Sequence, residues 1–356
     1  MIVMKRIFVI ISTILLCVNG FAQKQKYVVG FYNLENLFDI YDEPGKNDEE
    51  FLPDGKNKWT EAKYKKKLFN MAHVIRAMKE DNGVYHTILG VSEIENRLVL
   101  EDLVSQDEIA DANFQIVHYD SPDRRGVDVA LLYRPDQFDY IDSESLPFTF
   151  SPTQVKITLN QEEQDYFRTR DILMVHGLID GEHFAFYVAH LPSRIGGKGS
   201  DLRSRGAEII YNHASEMEKK YPGIKIVVMG DMNDNPTDES MTVWMHGKGD
   251  VKDVRQGDYF SPFTKMLADG YGSLAYQGTW NIYDVILTNY NLTVAPDGGL
   301  KICKIHKKGY YGRVFKKPFM TQQTGPYKGT PFRTFSSGTF IGGYSDHYPT
   351  YIVIGK

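Results

Sequence analysis

The amino-acid sequence predicts an α+β fold in which layered β-sheets carry helices on their outer faces. Three observations carry this reading. Short apolar segments rich in Val, Ile, Phe and Tyr outnumber helical ones, two long segments show helical spacing of apolar residues, and neither a Pro/Ser linker nor an internal repeat divides the chain. An aromatic content of 13% adds to the case for one domain over two.

Along the chain, residues 27–32 read as a first buried strand. A helix over 60–79 follows, with Thr60 as N-cap and Tyr64, Leu68, Met71, Ile75 and Met78 on one stripe. Strands are expected at 87–91, 114–119, 127–133 and 184–189. A second helix over 201–219 buries Leu202, Ile209, Ile210, His213 and Met217, and strands at 224–229, 285–288 and 350–354 complete the set.

Residues 1–22 have the character of a secretory signal. Lys5 and Arg6 precede the apolar run 7–18, and Gly20-Phe21-Ala22 supplies a small-residue cleavage pattern. A run of about 12 residues falls short of the ~20 that a membrane-crossing helix needs. The expectation is therefore an exported chain, periplasmic or extracellular, with residues 23–356 forming one domain, no stable membrane anchor and a monomeric state. Loss of the signal lowers Lys+Arg from 41 to 39 against 46 Asp+Glu, which moves the net charge from -5 to -7. An acidic chain holds a long polyanion only through a local basic patch, so weak nucleic-acid affinity is expected by default. Cys17 leaves with the signal, and Cys303 alone forms no intrachain disulfide.

Polar residues at the strand ends are more informative. Strand 27–32 runs into Asn33 and Glu35, strand 87–91 into Glu93, strand 184–189 into His190, and strand 224–229 into Asp231 and Asn233. Asp284 opens another apolar run, and Asp346-His347 precedes the last strand. Any one of these is ordinary turn chemistry, and Gly230-Asp231-Met232-Asn233 alone reads as a turn. Independent turns have no reason to deliver three or more carboxylates, two Asn and two His in this order.

The ordered set Asn33, Glu93, His190, Gly-Asp231-Met-Asn233, Asp284 and Ser345-Asp346-His347-Tyr-Pro349 resembles the endonuclease/exonuclease/phosphatase superfamily, the deoxyribonuclease I-like proteins. Residues 31–39, 125–134 and 190–197 look like an exported bacterial branch of it. The resemblance implies a four-layer α/β/β/α sandwich of two packed mixed β-sheets flanked by helices, with an active site at one rim. It also implies Mg²⁺ or Mn²⁺, held by Glu93 with help from Asn33 and Asp346. Asp, Glu and Asn oxygens suit a hard divalent cation, and the sequence has no Cys or multi-His cluster to recommend zinc.

Roles carry over by position. Asp231 orients or deprotonates the attacking water, and Asn233 donates to a phosphate oxygen. His347, held by Asp284, contacts the phosphate or transfers a proton, and His190 supplies a second imidazole. The acid supporting that first histidine maps loosely to Asp128, for which a strand-edge acid beside Arg124 and Arg125 is the alternative. Glu35 is either a second metal group or structural.

The positive residues form two clusters, Arg124 with Arg125, and Arg194, Lys198, Arg203 and Arg205 after His190. Ser193 and Arg194 are expected to bind substrate phosphate, because guanidinium does so bidentately. Basic and aromatic residues interleave between 290 and 343, with Lys304, Lys307, Lys308, Arg313, Lys316 and Lys317, a pattern that grips single-stranded nucleic acid or, as expected here, covers a sheet edge. The function expected is phosphodiester hydrolysis, foremost as a nuclease acting on DNA or RNA. The alternatives are a phosphatase or sphingomyelinase-like phospholipase, and a non-catalytic binding protein on the same fold.

Overall fold

A computed structural model of the chain describes residues 26–194, 197, 199–276, 278–296, 298–305 and 308–356. The expected signal at 1–22, together with Lys198 and Lys307, lies outside the described residues. In chain order the strands are β1 (Tyr27–Leu37), β2 (Ile88–Ile94), β3 (Gln115–His118), β4 (Asp128–Tyr133), β5 (Asp139–Leu146), β6 (Ile172–Ile179), β7 (Glu182–His190), β8 (Lys225–Asp231), β9 (Gly247–Lys248), β10 (Tyr259–Phe260), β11 (Leu274–Tyr276), β12 (Thr279–Asn281), β13 (Asp284–Asn289), β14 (Lys301–Cys303), β15 (Gly312–Val314), β16 (Phe335–Ser336), β17 (Thr339–Phe340) and β18 (Thr350–Gly355). The helices are α1 (Glu61–Asn82), α2 (Arg97–Val104), α3 (Gln161–Tyr166), α4 (Ser200–Lys220), α5 (Thr264–Ala268) and α6 (Tyr290–Thr293).

Two mixed sheets result. The first runs β14-β18-β1-β2-β4-β3, with β15 also on β18, and the second runs β5-β6-β7-β8-β13-β10-β9. Alternation along the strands decides what each face meets. Phe184, Phe186 and Val188 of β7, Val227 and Met229 of β8 and Ile286 of β13 join one core with Val29 and Phe31 of β1. Between them on β7, β8 and β13, Ala185, Tyr187, Ala189, Val228 and Leu287 pack under Ala207, Ile210, Ala214 and Met217 of α4. The stripe Leu68, Met71, Ile75 and Met78 of α1 is buried against the first sheet. Helix, sheet, sheet, helix is the layering that the sequence implies. The sheets approach closely: a Cβ at Gly90 of β2 would lie 2.7 Å from Met229 Sδ, so any larger residue there would have to displace the Met229 side chain. Truncating Phe186 in this core would cost about 3–5 kcal/mol.

Two long strands escape the sequence reading. β5 is an edge strand with mostly exposed acids and serines, which lack strand character. β6 carries His176 and Gly177 in its middle, and Gly177 is required because a Cβ there would meet the Phe138 ring at 2.4 Å. In α4, Ile209 and His213 are only half-buried, and His213 Nδ1 instead meets the Tyr187 hydroxyl at 2.8 Å. The stretch 290–343 extends the first sheet through β14 and β15, as expected, and its β16–β17 hairpin packs Phe335 and Phe340 on Trp59. No helix among the described residues is long and apolar enough to cross a membrane.

Candidate active site

The site begins as a continuation of the core. His190 closes β7, Asp231 closes β8 and Asp284 opens β13. β7 pairs parallel with β8 so that His190 stands opposite Asp231, and β8 pairs antiparallel with β13 so that Asp231 stands opposite Asp284. Each lies two residues beyond a core side chain, Val188, Met229 and Ile286 respectively. Period two therefore aims all three at the first sheet, where the sandwich opens.

The first sheet answers less regularly. Asn33 follows Phe31 on the inward face of β1. Glu93 has the opposite parity on β2, but its left-handed backbone (φ 57°) and a register shift between Ser92 and Ile94 turn it. The Asn33 amide then donates to Glu93 Oε1 at 3.3 Å and to Asp231 Oδ2 at 3.0 Å, which ties the two sheets together. Glu93 Oε2 accepts from the Asn36 N–H at 3.0 Å. The Ser345 hydroxyl donates to the Asn33 carbonyl at 2.7 Å and accepts from the His347 N–H at 3.1 Å, which fixes the last loop over the row.

Two imidazoles flank Asp231 and differ in their support. His347 Nδ1 lies 2.8 Å from Asp284 Oδ2 and 3.0 Å from Oδ1, and its Nε2 lies 3.8 Å from Asp231 Oδ2. Burial opposes its charge, yet Asp284 and Asp231 outweigh burial and hold its pKa well above the usual value. His190 Nε2 lies 3.7 Å from Asp231 Oδ2 and 3.8 Å from Glu93 Oε1, while its Nδ1 has no hydrogen-bond partner among the described residues. Burial, with Arg170 and Arg125 nearby, pushes this imidazole well below 6.5 and keeps it neutral. Burial also raises Asp231 to about 6, with His347 opposing and Asp284 and Glu93 reinforcing the rise.

A profile of the endonuclease/exonuclease/phosphatase family matches residues 28–356. The chain belongs to that family. It is accordingly a hydrolase acting on phosphoester bonds. Solved structures share the fold at low identity. An endonuclease/exonuclease/phosphatase family protein from Bacteroides thetaiotaomicron is 16% identical with a TM-score of 0.55, covering 93% of this chain and 98% of that one. A mannosyl-6-phosphatase from the same organism is 15% identical with a TM-score of 0.55, over 93% and 100%. TDP2 from D. rerio, complexed with a single strand DNA product, is 12% identical with a TM-score of 0.54, over 93% and 99%. No curated protein matches the chain significantly.

The family depends on divalent metal, and the residues here fit one. Glu93, His190 and Asp231 bring donor atoms within 4.8 Å of one another, and the two carboxylates suit a hard divalent cation. Of the expected ligands, Glu93 belongs to this group, and Asn33 and Asp346 stand beside it. Asn33 Oδ1 accepts from the Glu35 N–H at 2.8 Å and keeps a second lone pair, while its Nδ2 donates to Glu93 and Asp231 and organises the two carboxylates. Asp346 sits at the rim, with one oxygen 3.0 Å from Arg333 Nη2 and the other 3.8 Å from His347 Nε2. Glu35 serves structure: it is buried and accepts from Arg333 Nε at 3.0 Å and the Thr334 N–H at 2.7 Å.

Asp128 does not support His190. Its strand, β4, lies in the first sheet, where its carboxylate meets His118 Nε2 at 3.0 Å and the Ser121 N–H at 3.0 Å. The family member's His190 is steadied through its backbone, since Arg170 donates to the carbonyls of His190 and Leu191 at 3.0 Å and pairs with Asp123 at 3.0 Å. Nothing local in Thr169-Arg170-Asp171 signals that role. Asn233, also left-handed (φ 50°), gives its backbone N–H to Asp231 Oδ1 and one side-chain N–H to the Leu191 carbonyl, both at 3.0 Å. Its second side-chain N–H makes no hydrogen bond among the described residues.

Arg194, expected to bind phosphate, and most of the neighbouring arginines face acids. Arg194 lies 2.9 Å from Asp238 and 3.5 Å from Asp234. Arg203 meets Asp234 at 2.7 Å, Arg205 meets Glu208 at 2.7 Å and Arg125 meets Asp123 at 3.7 Å. Arg124 donates to the Tyr166 carbonyl, and Ser193 is exposed. Arg333, by contrast, was not foreshadowed, because its partners Glu35 and Asp346 are distant in sequence or in an unrelated loop.

Proposed function

We propose that this protein is a Mg²⁺- or Mn²⁺-dependent phosphoesterase that hydrolyses a small phosphorylated compound by in-line attack of water. The observation that carries the reading is the convergence on Asp231 of Asn33, His190 and His347 from separate strands and loops. Asp231 takes the proton of the attacking water, a role open to it once it is ionised above about 6. His347, kept cationic by Asp284, donates to a phosphoryl oxygen, and the remaining Asn233 N–H donates to another. The water oxygen bonds to phosphorus as the ester bond opposite breaks, so one water is consumed and an alcohol and phosphate are released. Glu93, with Asp231 and His190 facing it, would hold the cation, which supplies positive charge for the phosphoryl and leaving oxygens.

Substrate size follows from charge. Among the described residues, Arg125, Arg194, Arg203 and Arg205 each face an acid, Asp123, Asp234, Asp238 or Glu208, which weakens the hold of this surface on a long phosphate chain. Nuclease action is the second reading. It is favoured by Lys316, which lies 4.8 Å over Trp280 and 5.3 Å over Tyr348 beside an open cavity of 510 Å³ that Tyr271 and Tyr310 also line. Export of the chain after cleavage near Ala22 is part of the proposal, and the N-terminal sequence of the secreted protein tests it.

The deciding experiment incubates the purified full chain with Mg²⁺, Mn²⁺ or chelator on p-nitrophenyl phosphate, its diester, sugar phosphates, sphingomyelin, DNA and RNA. We expect turnover of small esters that chelator abolishes and either metal restores. Turnover of DNA or RNA above all small esters would replace this reading with the second.

A further inference from the structure

Beyond the catalytic row, the three strands that form it continue into one cavity. Arg194 follows His190 by four residues, Asn235 follows Asp231 by four, and Asn281 and Tyr283 precede Asp284. With Asp238 and Tyr276 they line an open space of 630 Å³ at the same sheet edge. That volume lies within the range of about 300–1,000 Å³ usual for small-molecule sites.

Its chemistry is selective. Asn235 Nδ2 donates to Asn281 Oδ1 at 2.9 Å, Asn235 Oδ1 accepts from the Ile282 N–H at 3.0 Å, and Asn281 Nδ2 donates to the Thr279 carbonyl at 3.2 Å. Both amides are thereby fixed in orientation, and each retains one N–H and one lone pair. Paired donors and acceptors match hydroxyl groups, which both give and accept, whereas a phosphate dianion only accepts. Asp238 adds acceptor oxygens, and its 2.9 Å contact with Arg194, whose guanidinium also lies 5.7 Å over the Tyr283 ring, leaves the pair with no net charge to attract an anion. Tyr276, 53% exposed, offers an apolar ring face beside these polar groups.

We propose that this cavity binds the organic group carried by the scissile phosphate, and that the group is uncharged and polyhydroxylated, a sugar or cyclitol. The assignment rests on the phosphoesterase reading above and names its substrate class. The groups already in place select by hydrogen-bond complementarity, so a chain of further phosphates, which only accepts, leaves the amide and carboxylate acceptors unmatched.

The test compares kcat/KM of the full chain with Mg²⁺ on glucose, galactose and mannose 6-phosphates, inositol 1-phosphate, p-nitrophenyl phosphate and a single-stranded oligonucleotide. At least one sugar or cyclitol phosphate is expected to exceed p-nitrophenyl phosphate and the oligonucleotide by about tenfold or more, the scale of one or two well-placed hydrogen bonds. Asn281→Leu and Tyr276→Ala should each shrink that ratio several-fold; the second alters an exposed side chain, so it reports even where the first fails to fold. If p-nitrophenyl phosphate or the oligonucleotide is cleaved as well as every sugar ester, or if neither variant changes the ratio, the cavity assignment is overturned while the phosphoesterase reading stands. If no ester is cleaved with Mg²⁺ or with Mn²⁺ in its place, both fall.

Discussion

On the second sheet, His190, Asp231 and Asp284 occupy one row of a regular ladder, each two residues past a core side chain. On the first sheet, Glu93 reaches the same centre only through a left-handed residue at a register shift, and Asp346 is held by Arg333, which also reaches across to Glu35. The difference separates tasks. The regular half fixes the acid–imidazole geometry that must not vary, because a ladder position has no slack. The irregular half gathers negative charge, which the extended backbone alone would not bring together, and stores local strain at Glu35, Asn36 and Glu93 to do so.

The regular half should carry the larger catalytic effects. Asp231→Ala or His347→Ala is expected to lower kcat by at least ~10²-fold, since each acts in the transition state. Circular dichroism should show an unchanged fold. Turnover within a few-fold of wild type in both variants would sink the assigned roles.

Asp284→Asn tests the support beneath His347. Without the carboxylate the imidazolium loses its main stabiliser, so kcat should fall by about 10-fold and the alkaline limb of the pH–rate profile should move to lower pH. The stability sign is the same. A histidine whose folded pKa is raised stabilises the fold fully below its unfolded value near 6.5, and loses that contribution as pH climbs through the raised value. The melting-temperature gap between wild type and Asp284→Asn should therefore narrow at high pH. A limb that stays in place would assign it to another group.

Arg333→Ala addresses the irregular half and should have a smaller effect on rate, several-fold, through release of Asp346. Its stronger signature is in stability. Burial and Asp346 push Glu35 up to about 7, while Lys67 and Arg333 oppose the rise. An acid with a raised folded pKa costs stability as pH increases from about 4.5 through that value. Loss of Arg333 adds to this cost, so the variant should match wild type near pH 5 and fall behind by about 1 kcal/mol above pH 8, a modest sum because Arg333 is half exposed. Melting curves at the two pH values measure it.

The same contrast explains what was legible beforehand. His190, Asp231 and Asp284 could be read from sequence because strand alternation is local and each sits at the end of an apolar run. Glu93 was visible as an acid after a strand, but the kink that aims it was not, since nothing in Val-Ser-Glu-Ile marks a left-handed residue. Arg333 was invisible for a different reason: Glu35 lies 298 residues away, and only the folded chain brings them to 3.0 Å. For Arg194, nearness to His190 was legible, but its pairing with Asp238, 44 residues on, was not.

Asp128 is the sharpest instance, and the smallest expected effect on rate. Alternation gives parity along a strand but not the sheet to which the strand belongs, so an acid expected beneath His190 stands instead on β4 with His118 and Ser121. Asp128→Ala would leave the His118 ring and the Ser121 N–H without their buried acceptor, at roughly 2–4 kcal/mol of stability for the two contacts. Because neither group touches the catalytic row, kcat below the melting transition should stay within about threefold of wild type, the more so since His190 Nδ1 has no carboxylate to lose. A hundredfold loss at full folding would mean that Asp128 reaches His190 after all, and the two halves of the site would have to be redrawn as one.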